Sequence, residues 1–278
     1  GADERRCDAV GAGAQHQDKV AHYLYNCPEY LESMFGLFKA ALVPVNTNYR
    51  YTEDELVYLW DNADAVAVIF HAGFADRCER VRARLPRIRT WLCVDDSHGP
   101  CPDWAVPAAP LMHGTGAFNA MWNLALGGSV VTLEGRHFDP VELLDAVERH
   151  RVNSMSIVGD AFAKPLLRAL DAEPDRWDIS SLRVIVSSGV ICAAETKAGL
   201  LRHNDRLIMV DSLGSSEAIG MATSTTTADN AASTSSTAKF ALGPNTKVLT
   251  EDGREVQAGS GERGRIERRG RTPIGYYK

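Results

Sequence analysis

The sequence predicts an α/β fold with two doubly wound lobes of mostly parallel sheet and a small C-terminal β unit. Short apolar runs alternate along the chain with longer amphipathic runs, as strands and helices do in a parallel sheet. The alternation breaks at a proline-rich stretch, residues 100–110, and then begins again. Near the end, two short apolar runs flank an Asp-Gly turn, which is typical of a β-hairpin. We therefore expect three units, at residues 1–105, 106–237 and 238–278.

The first lobe has a β-α-β-α-β order. Residues 19–25 form an apolar strand, and Pro28, a residue type common at the first helical position, begins a helix that runs to about residue 41. Thr52 and Glu55 have the spacing of a capping box for the next helix. This order predicts a parallel sheet with helices on both faces. The remaining strands of the lobe are expected at 65–70 and 90–94.

The second lobe repeats the alternation. Asp139 is the expected cap of its first helix, and Pro140 occupies the first helical position. Strands are expected at 129–133, 152–158, 182–186 and 207–210, and helices at 140–150, 160–170 and 193–203.

Ser, Thr and Ala dominate residues 223–237, which have neither a helical nor a strand period. We expect this segment to be extended or mobile. Beyond it, strands at 247–250 and 264–267 flank the turn at Asp252 and Gly253.

Composition limits the classes of function. The 278 residues are 45% hydrophobic and 24% charged, as in ordinary globular proteins, and the net charge of -6 argues against a sequence-independent nucleic-acid binder. The six cysteines are scattered without a Cys-x-x-Cys pair, which favours reduced thiols in a cytoplasmic protein. No apolar run approaches the roughly 20 residues of a membrane span, and the charged N-terminus has no signal-peptide pattern.

Three consecutive strands of the second lobe end in small or polar residues. The first ends at Gly159 and Asp160, the second at residues 187–189, and the third at residues 211–217. The carboxyl ends of parallel strands are where ligands bind in open α/β sheets, so these segments should converge on one crevice. Free amides and hydroxyls suit a phosphate, and the carboxylate of Glu217 suits a divalent cation.

His113 stands alone among small and apolar residues, at 111–116. It is either a wall beside an apolar substrate or a core histidine with a backbone partner, and the sequence leaves both interpretations open. Other catalytic patterns are missing: there is no Gly-x-Ser-x-Gly elbow, no His-Glu-x-x-His and no phosphate-binding Gly-x-x-x-x-Gly-Lys loop. The Gly-x-Gly-x-x-Gly spacing at 259–264 precedes a strand, which favours a hairpin turn.

Several segments, taken in order, resemble the acyl-adenylate-forming superfamily, in its fatty-acyl and steroid-acyl coenzyme A ligase branch. Each segment is modest alone, but their number and order are specific. They cover both halves of the chain, at 26–30, 44–50, 109–114, 159–166, 178–183, 186–189, 211–217 and 272–278.

The resemblance implies a two-step reaction. A carboxylate attacks the α-phosphate of ATP to give an acyl-adenylate and pyrophosphate, and the thiolate of coenzyme A then displaces AMP. An apolar carboxylic acid, fatty or steroid-derived, is the implied substrate, because residues 111–119 hold no acidic side chain for an amino-acid ammonium group. A homodimer is a possible assembly.

The resemblance also implies roles for individual residues. Glu217 would hold Mg²⁺, and the hydroxyl of Ser216 would meet the α-phosphate. The nucleotide would lie against Ser188, Gly189, Val190, Asp211, Ser212, Leu213, Gly214 and Ser215. The acid would lie against His113, Gly114, Gly159 and Asp160.

The chain departs from the family pattern in several places. The Thr/Ser/Gly-rich loop that wraps pyrophosphate has no counterpart between residues 100 and 110, and Leu213 stands where many relatives have an aromatic ring. The ribose-binding Asp and the mobile C-terminal domain with its catalytic lysine do not follow Lys278. Either this is a truncated, inactive relative, or stretches of a longer chain are left out of the sequence; the abrupt join at 100–107 favours the second. In either case we expect the 278 residues alone to be inactive.

The alternatives are a catalytically incomplete protein that binds nucleotide or acyl groups, and a domain that adenylates an amino acid or aryl acid. Pyrophosphate release and intact mass separate these possibilities.

Overall fold

The computed structural model describes residues 14–94, 105–107, 111–133, 135, 137–231 and 239–277, except residues 271 and 274. Most of the proline-rich stretch and the second half of the low-complexity segment lie outside these ranges. The division into three units at residues 105 and 237 stays a prediction.

The first lobe is a four-stranded parallel sheet in the order β2-β1-β3-β4. Helix α1 packs on one face through Leu31, Met34 and Leu37, and helices α2 and α3 pack on the other through Trp60 and Val81. The prediction of a parallel sheet covered on both faces is confirmed, although strand β2 was not expected. The elements are β1 (Lys19–Tyr23), α1 (Pro28–Lys39), β2 (Val43–Asn46), α2 (Glu53–Asn62), β3 (Ala65–His71), α3 (Ala75–Arg82) and β4 (Thr90–Val94).

The predicted helix starts are present. Glu55 accepts hydrogen bonds from the backbone N–H and the hydroxyl of Thr52, both at 2.8 Å. In the second lobe, the carboxylate of Asp139 accepts a 2.8 Å bond from the N–H of Val141. These contacts satisfy donors that the first helical turn leaves unpaired.

The second lobe is a six-stranded sheet in the order β10-β9-β8-β7-β6-β5. Strands β5 to β8 are parallel, and β9 and β10 continue the sheet antiparallel. The fold class, α/β with mostly parallel sheets, is thereby confirmed. The strands are β5 (Ala105–Pro107), β6 (Ser154–Ile157), β7 (Val184–Ser188), β8 (Ile208–Leu213), β9 (Ala222–Thr226) and β10 (Ala241–Leu242).

The helices of the second lobe are unequally divided between the faces of this sheet. Helices α5, α6 and α7 bury Leu143, Leu166 and Leu200 against Met155 and Ile185 on one face. Helix α4 faces the opposite side, and it also contributes to the core of the first lobe. The bounds are α4 (Gly114–Ala125), α5 (Pro140–Arg149), α6 (Asp160–Ala172) and α7 (Ala194–His203).

Two predictions for this lobe were wrong. Residues 129–133 were expected to be a strand, but they have no regular structure; Val131 is buried in the core, and Val130 and Leu133 pack against the core partly buried. Strand β6 pairs with β5 and β7, so both of its edges are occupied. Residues 223–226 were placed in an extended or mobile segment without a strand period, but they belong to β9, because the edge of β8 gives their backbone groups hydrogen-bond partners.

The small C-terminal β unit is an antiparallel pair, β11 (Thr246–Leu249) and β12 (Arg265–Arg268). This pair confirms the prediction that the strands expected at 247–250 and 264–267 pair with each other. None of the helices in the described ranges is both long and apolar enough to span a lipid bilayer.

Candidate functional site

The three predicted strand ends lie side by side at one edge of the second sheet. Strands β6, β7 and β8 are parallel neighbours, with Ile157 opposite Ser187 and Ser187 opposite Asp211. The hydroxyl oxygen of Ser187 accepts a 3.1 Å bond from the N–H of Gly159 and so joins the first strand end to the second. The structure therefore brings the three polar segments together, as their positions in the sequence indicated.

A cavity of about 230 Å³ with serine, threonine and asparagine side chains in its wall, which we call the strand-end cavity, opens at this edge. The segments at the ends of β7 and β8 form one side of it, and the first two turns of α4 form the other. Seven of the predicted site residues line it: Gly114, Ser188, Gly189, Ser212, Gly214, Ser215 and Ser216. Residues that were not predicted complete the wall: Thr115, Phe118, Asn119, Val186, Ile219 and Gly220.

Gly159 and Asp160 support this cavity from behind and do not line it. Gly159 has φ +52°, and a Cβ there would lie 2.6 Å from the carbonyl oxygens of Val190 and Ile191. The carboxylate of Asp160 accepts a 3.0 Å bond from the N–H of Ala193, at the start of α7. These contacts hold the loop after β7 against the start of α6.

The charge of Asp160 is also balanced within the fold. Lys164, one helical turn later, lies 3.0 Å from its carboxylate. Burial alone would raise the pKa of Asp160, but the N–H of Ala193 and the Lys164 ammonium outweigh it, and the pKa is lowered. A structural role fits these contacts better than the predicted contact with substrate.

Val190 and Leu213, two predicted site residues, do not line the cavity. Both side chains are exposed, Val190 at 57% and Leu213 at 38%, and neither lines the cavity wall. Leu213 is the last residue of β8, and its carbonyl accepts a 2.9 Å bond from the N–H of Met221. The segment between them is therefore a closed turn, within which the N–H of Ser215 donates to the carbonyl of Ala218 at 3.0 Å.

Asp211 is committed to a buried ion pair. Its carboxylate lies 2.6 Å from the ammonium of Lys197 on α7, and both residues are buried. The pair fixes the end of β8 to α7 directly beneath the Ser212–Ser216 part of the cavity wall. A signal for Lys197 was present and was missed: this lysine lies on the face of α7 that carries Leu200 and Leu201 into the core.

Glu217 is exposed beside the strand-end cavity, in a second hollow of about 260 Å³ that it shares with Ser216 and Tyr276. The hydroxyl of Tyr276 donates a hydrogen bond to its carboxylate. A hydrogen bond from the side chain of Ser215 lowers the pKa of Glu217, so the carboxylate is charged at neutral pH.

This donor set fits a magnesium ion shared with phosphate oxygens. Within the described residues, no group of three His, Cys, Asp or Glu side chains could form a metal site by itself. Mg²⁺ often takes one or two carboxylates and completes its shell with waters and substrate phosphates. Glu217, with the hydroxyls of Ser215 and Ser216 nearby, matches that pattern.

His113 is exposed and precedes the first residue of α4, where its carbonyl accepts a 3.0 Å bond from the N–H of Ala117. The interpretation as a core histidine is therefore wrong. Its neighbour Gly114 lines the strand-end cavity, so His113 lies at the rim.

A third cavity, of about 330 Å³, runs between α4 and the open face of β6 and β7; we call it the helix–sheet channel. Asn119 and Val186 line both this channel and the strand-end cavity, so the two spaces are adjacent. Most of the exposed surface in the channel is apolar. Its other lining residues are Ala120, Trp122, Asn123, Leu126, Ser154, Met155, Ser156 and Val184.

Comparison with protein families gives a match to the family described as AMP-binding enzyme, over residues 9–105 and 88–277. Among curated relatives, the medium/long-chain-fatty-acid--CoA/3-oxocholest-4-en-26-oate--CoA ligase of Mycolicibacterium smegmatis is 28% identical; the match covers 97% of this chain and 64% of the relative. A ligase of the same name from Mycobacterium tuberculosis is also 28% identical, with 97% and 63% covered. The chain thus spans less than two thirds of the length of these relatives.

The first of these alignments extends over 354 positions, whereas the chain has 278 residues, so at least 76 aligned positions (354 minus 278) have no residue here. The relative therefore carries stretches within the aligned region that this chain does not; the join at residues 100–107 stays a prediction. Among solved structures, a long-chain-fatty-acid-CoA ligase from Archaeoglobus fulgidus has a TM-score of 0.83 at 18% identity, with 100% of this chain and 68% of that chain covered. At that identity the likeness concerns the fold.

Proposed function

The chain belongs to the AMP-binding enzyme family, and on that premise we propose that it supplies the acid- and nucleotide-binding part of an ATP-dependent acyl-coenzyme A ligase. One observation carries the proposal: the strand-end cavity, whose wall carries serine, threonine and asparagine side chains, adjoins a channel with a mostly apolar wall. A carboxylate and an α-phosphate would meet in the strand-end cavity, while the hydrocarbon of the acid would occupy the channel. The names of both curated relatives include a fatty acid and a steroid acid, which supports an apolar acid.

The proposed chemistry has two steps. A carboxylate oxygen forms a bond to the α-phosphorus of ATP while the bond to pyrophosphate breaks, and the coenzyme A sulfur then bonds to the acyl carbon as AMP leaves. Such transfers depend on positioning and on neutralisation of phosphate charge. Ser188, Ser212 and Ser216 offer hydroxyls at the cavity wall. Glu217 would hold Mg²⁺, which when bound would neutralise phosphate charge.

An amino-acid-adenylating domain is the competing function. It needs an acid beside the substrate ammonium, because a buried ammonium without a partner is costly. The described residues that line the strand-end cavity include Gly, Ser, Thr and Asn side chains but no Asp or Glu. This observation favours a substrate with a carboxylate and no ammonium. A cytoplasmic setting is in keeping with the absence of a disulfide at the four cysteines of the described ranges, Cys27, Cys78, Cys93 and Cys192.

The binding of a two-part ligand tests the proposal without requiring turnover. We expect AMP to bind the purified protein, and a dodecanoyl sulfamate ester of adenosine to bind at least about tenfold more tightly, because each buried CH₂ contributes about 0.8 kcal/mol. Calorimetric titration gives both dissociation constants. Equal affinities for AMP and for the ester would indicate a nucleotide-binding protein without an acyl site. If neither compound bound, the proposal would be overturned.

A pair of variants tests whether the nucleotide binds in the strand-end cavity. Ser188→Phe would fill the nucleotide side of the cavity, whereas Val190→Phe, two residues later on the exposed surface, would not. We expect loss of AMP binding in the first variant alone. Loss in neither would show that the nucleotide binds elsewhere.

A further inference from the structure

The helix–sheet channel contains a polar patch within its apolar wall. The sequence of β6 is Ser-Met-Ser-Ile, and side chains alternate between the two faces of a strand. Met155 and Ile157 enter the core beneath α5 to α7, which places Ser154 and Ser156 on the opposite face, toward α4. A wall that had only to enclose a hydrocarbon chain would not need these hydroxyls.

The two hydroxyls differ in their hydrogen bonding. The Oγ of Ser154 lies 3.4 Å from Oδ1 of Asn123, across the channel on α4. The Oγ of Ser156 is buried, with the residue only 1% exposed, and it has no hydrogen-bond partner among the described residues. A buried hydroxyl without a partner costs about 1–3 kcal/mol, so natural proteins seldom keep one that nothing satisfies.

The amide side chains on the helix side of the patch are bonded within α4 and not to Ser156. Asn119 donates one side-chain N–H to the carbonyl of Thr115 at 2.6 Å, and Asn123 donates one to the carbonyl of Asn119 at 2.8 Å. These bonds hold both amides to the helix. The Oγ–H of Ser156 is a donor of the patch that no described residue satisfies.

Strand pairing defines where Ser156 lies along the channel. It pairs in register with Val186 of β7, and Val186 is one of the two residues that line both cavities. Adjacent strands are about 4.8 Å apart, so the hydroxyl lies near the junction with the strand-end cavity, where the carboxylate of the acid would be.

We propose that Ser156 is a specificity residue that donates a hydrogen bond to an oxygen substituent, oxo or hydroxyl, on the carbon skeleton of the acid. The inference rests on the proposed function, since it assigns the acid to this channel. It narrows the substrate class from apolar acids in general to apolar acids with an oxygen in the half of the chain nearer the carboxyl group.

Binding of matched acids to the purified protein tests the proposal. The probes are dodecanoic acid, 5-oxododecanoic acid and 10-oxododecanoic acid, titrated in the presence of AMP. We expect the 5-oxo acid to bind about three- to tenfold more tightly than dodecanoic acid, the range of one hydrogen bond, and the 10-oxo acid to gain nothing.

Ser156→Ala should abolish the preference for the 5-oxo acid and leave the affinity for dodecanoic acid unchanged. Ser154→Ala is the matched control on the same face of β6. Because the hydroxyl of Ser154 already donates a hydrogen bond to Asn123, the preference for the 5-oxo acid should persist in this variant. Because removal of an unpaired hydroxyl does not destabilise the core, the melting temperature of Ser156→Ala should equal or exceed that of the parent.

The remaining outcomes separate the two proposals. Binding of dodecanoic acid without any preference for the 5-oxo acid would overturn this inference and leave the proposed function standing. A preference that survives in Ser156→Ala would likewise overturn it. Failure of all three acids to bind would overturn the proposed acid site, and this inference with it.

Discussion

The ammonium of Lys197 lies 2.6 Å from the carboxylate of Asp211, and the two side chains are only 2% and 10% exposed. Lys197 belongs to α7 and Asp211 to β8, so the pair joins the helix to the strand whose end forms the cavity wall. Burying two charges is unfavourable unless each compensates the other, and either one left alone would be strongly destabilising. The pair is therefore a positioning element for the segment 212–216.

The first prediction concerns this ion pair. Lys197→Met should lower the free energy of unfolding by about 3–5 kcal/mol, because it leaves the Asp211 carboxylate buried and uncompensated. Lys164→Met is the matched control: its ion pair with Asp160 is 44% and 23% exposed, and its loss should cost less than about 1 kcal/mol. Urea unfolding of both variants gives the comparison. Similar costs for the two lysines would contradict the role assigned to Lys197.

A double variant separates stability from positioning. Lys197→Met combined with Asp211→Leu removes both buried charges and should recover most of the lost stability. It should still bind AMP more weakly than the parent, since the end of β8 loses its polar anchor. Full recovery of AMP affinity would mean that the pair serves stability alone.

The sequence predicted the parts of the fold that local patterns determine. Local signals mark three helix starts independently of distant residues: Pro28, Asp139 and the Thr52–Glu55 capping box. The structure has helices that begin at these positions. The errors in predicted secondary structure lie in segments whose conformation depends on pairing with residues distant in the sequence. The run around Val131 has a strand composition but pairs with no strand, whereas residues 222–226, with a low-complexity composition, lie along β8 and form a strand.

The sequence likewise predicted part of the candidate site and missed the rest. Small and polar residues at the ends of β6, β7 and β8 are visible in the sequence, and parallel order brings them to one edge. The sequence does not show which side chains face the cavity and which support it. Gly159 and Asp160 carry the pattern of a ligand loop, yet their contacts with Val190, Ala193 and Lys164 are internal. Gly114 was predicted, but Thr115, Phe118 and Asn119 of α4 were missed because the contact of this helix with the second sheet is long-range.

The second prediction assigns the magnesium ligand. Glu217→Gln keeps the size of the side chain and removes its charge, so the affinity for ATP with Mg²⁺ should fall by at least about tenfold, while the affinity for AMP without metal should be unchanged. Calorimetric titration with and without Mg²⁺ measures both. Glu79→Gln, an exposed glutamate on α3 far from the cavity, is the control and should affect neither. If Glu217→Gln retained parental affinity for ATP with Mg²⁺, Glu217 would not be the ligand.

The third prediction uses the backbone of Gly159. With φ +52° and ψ -148°, this residue has a conformation that side chains oppose, and a Cβ would clash with two carbonyl oxygens at 2.6 Å. Gly159→Ala should therefore cost about 3 kcal/mol or more and displace the loop that carries Val190 and Ile191. Gly127→Ala, at φ +81° with nothing within 4 Å of its Cβ, should cost only about 1 kcal/mol. Equal melting temperatures for the two variants would contradict the close approach at Gly159.

The last prediction concerns a buried histidine in the first lobe. His22 lies on β1 with neither ring nitrogen hydrogen-bonded among the described residues, and the ring of Tyr30 is edge-on at 5.2 Å. Burial lowers the pKa of His22 from 6.5 to about 3, because the charged imidazolium would lose its hydration. The folded protein therefore holds this side chain neutral across the whole range from pH 3 upward.

The sign of the pH dependence follows from that shift. Below pH 6.5 the unfolded chain binds a proton at His22 that the folded chain does not bind, so the free energy of unfolding falls as pH falls. The contribution from this residue is about 1.4 kcal/mol per pH unit and is lost progressively between about pH 6.5 and pH 3. Above pH 6.5 it is constant.

Urea unfolding at pH 7.5, 6 and 5 measures the effect. His22→Leu removes the titration, so its stability relative to the parent should rise by about 1.4 kcal/mol for each unit of acidification below pH 6.5. Leu24→Ala, a buried neighbour without a titrating group, should lower stability by a similar amount at each pH, typically about 2–5 kcal/mol. A stability difference between His22→Leu and the parent that does not change with pH would mean that His22 accepts a proton in the folded state as readily as in the unfolded one.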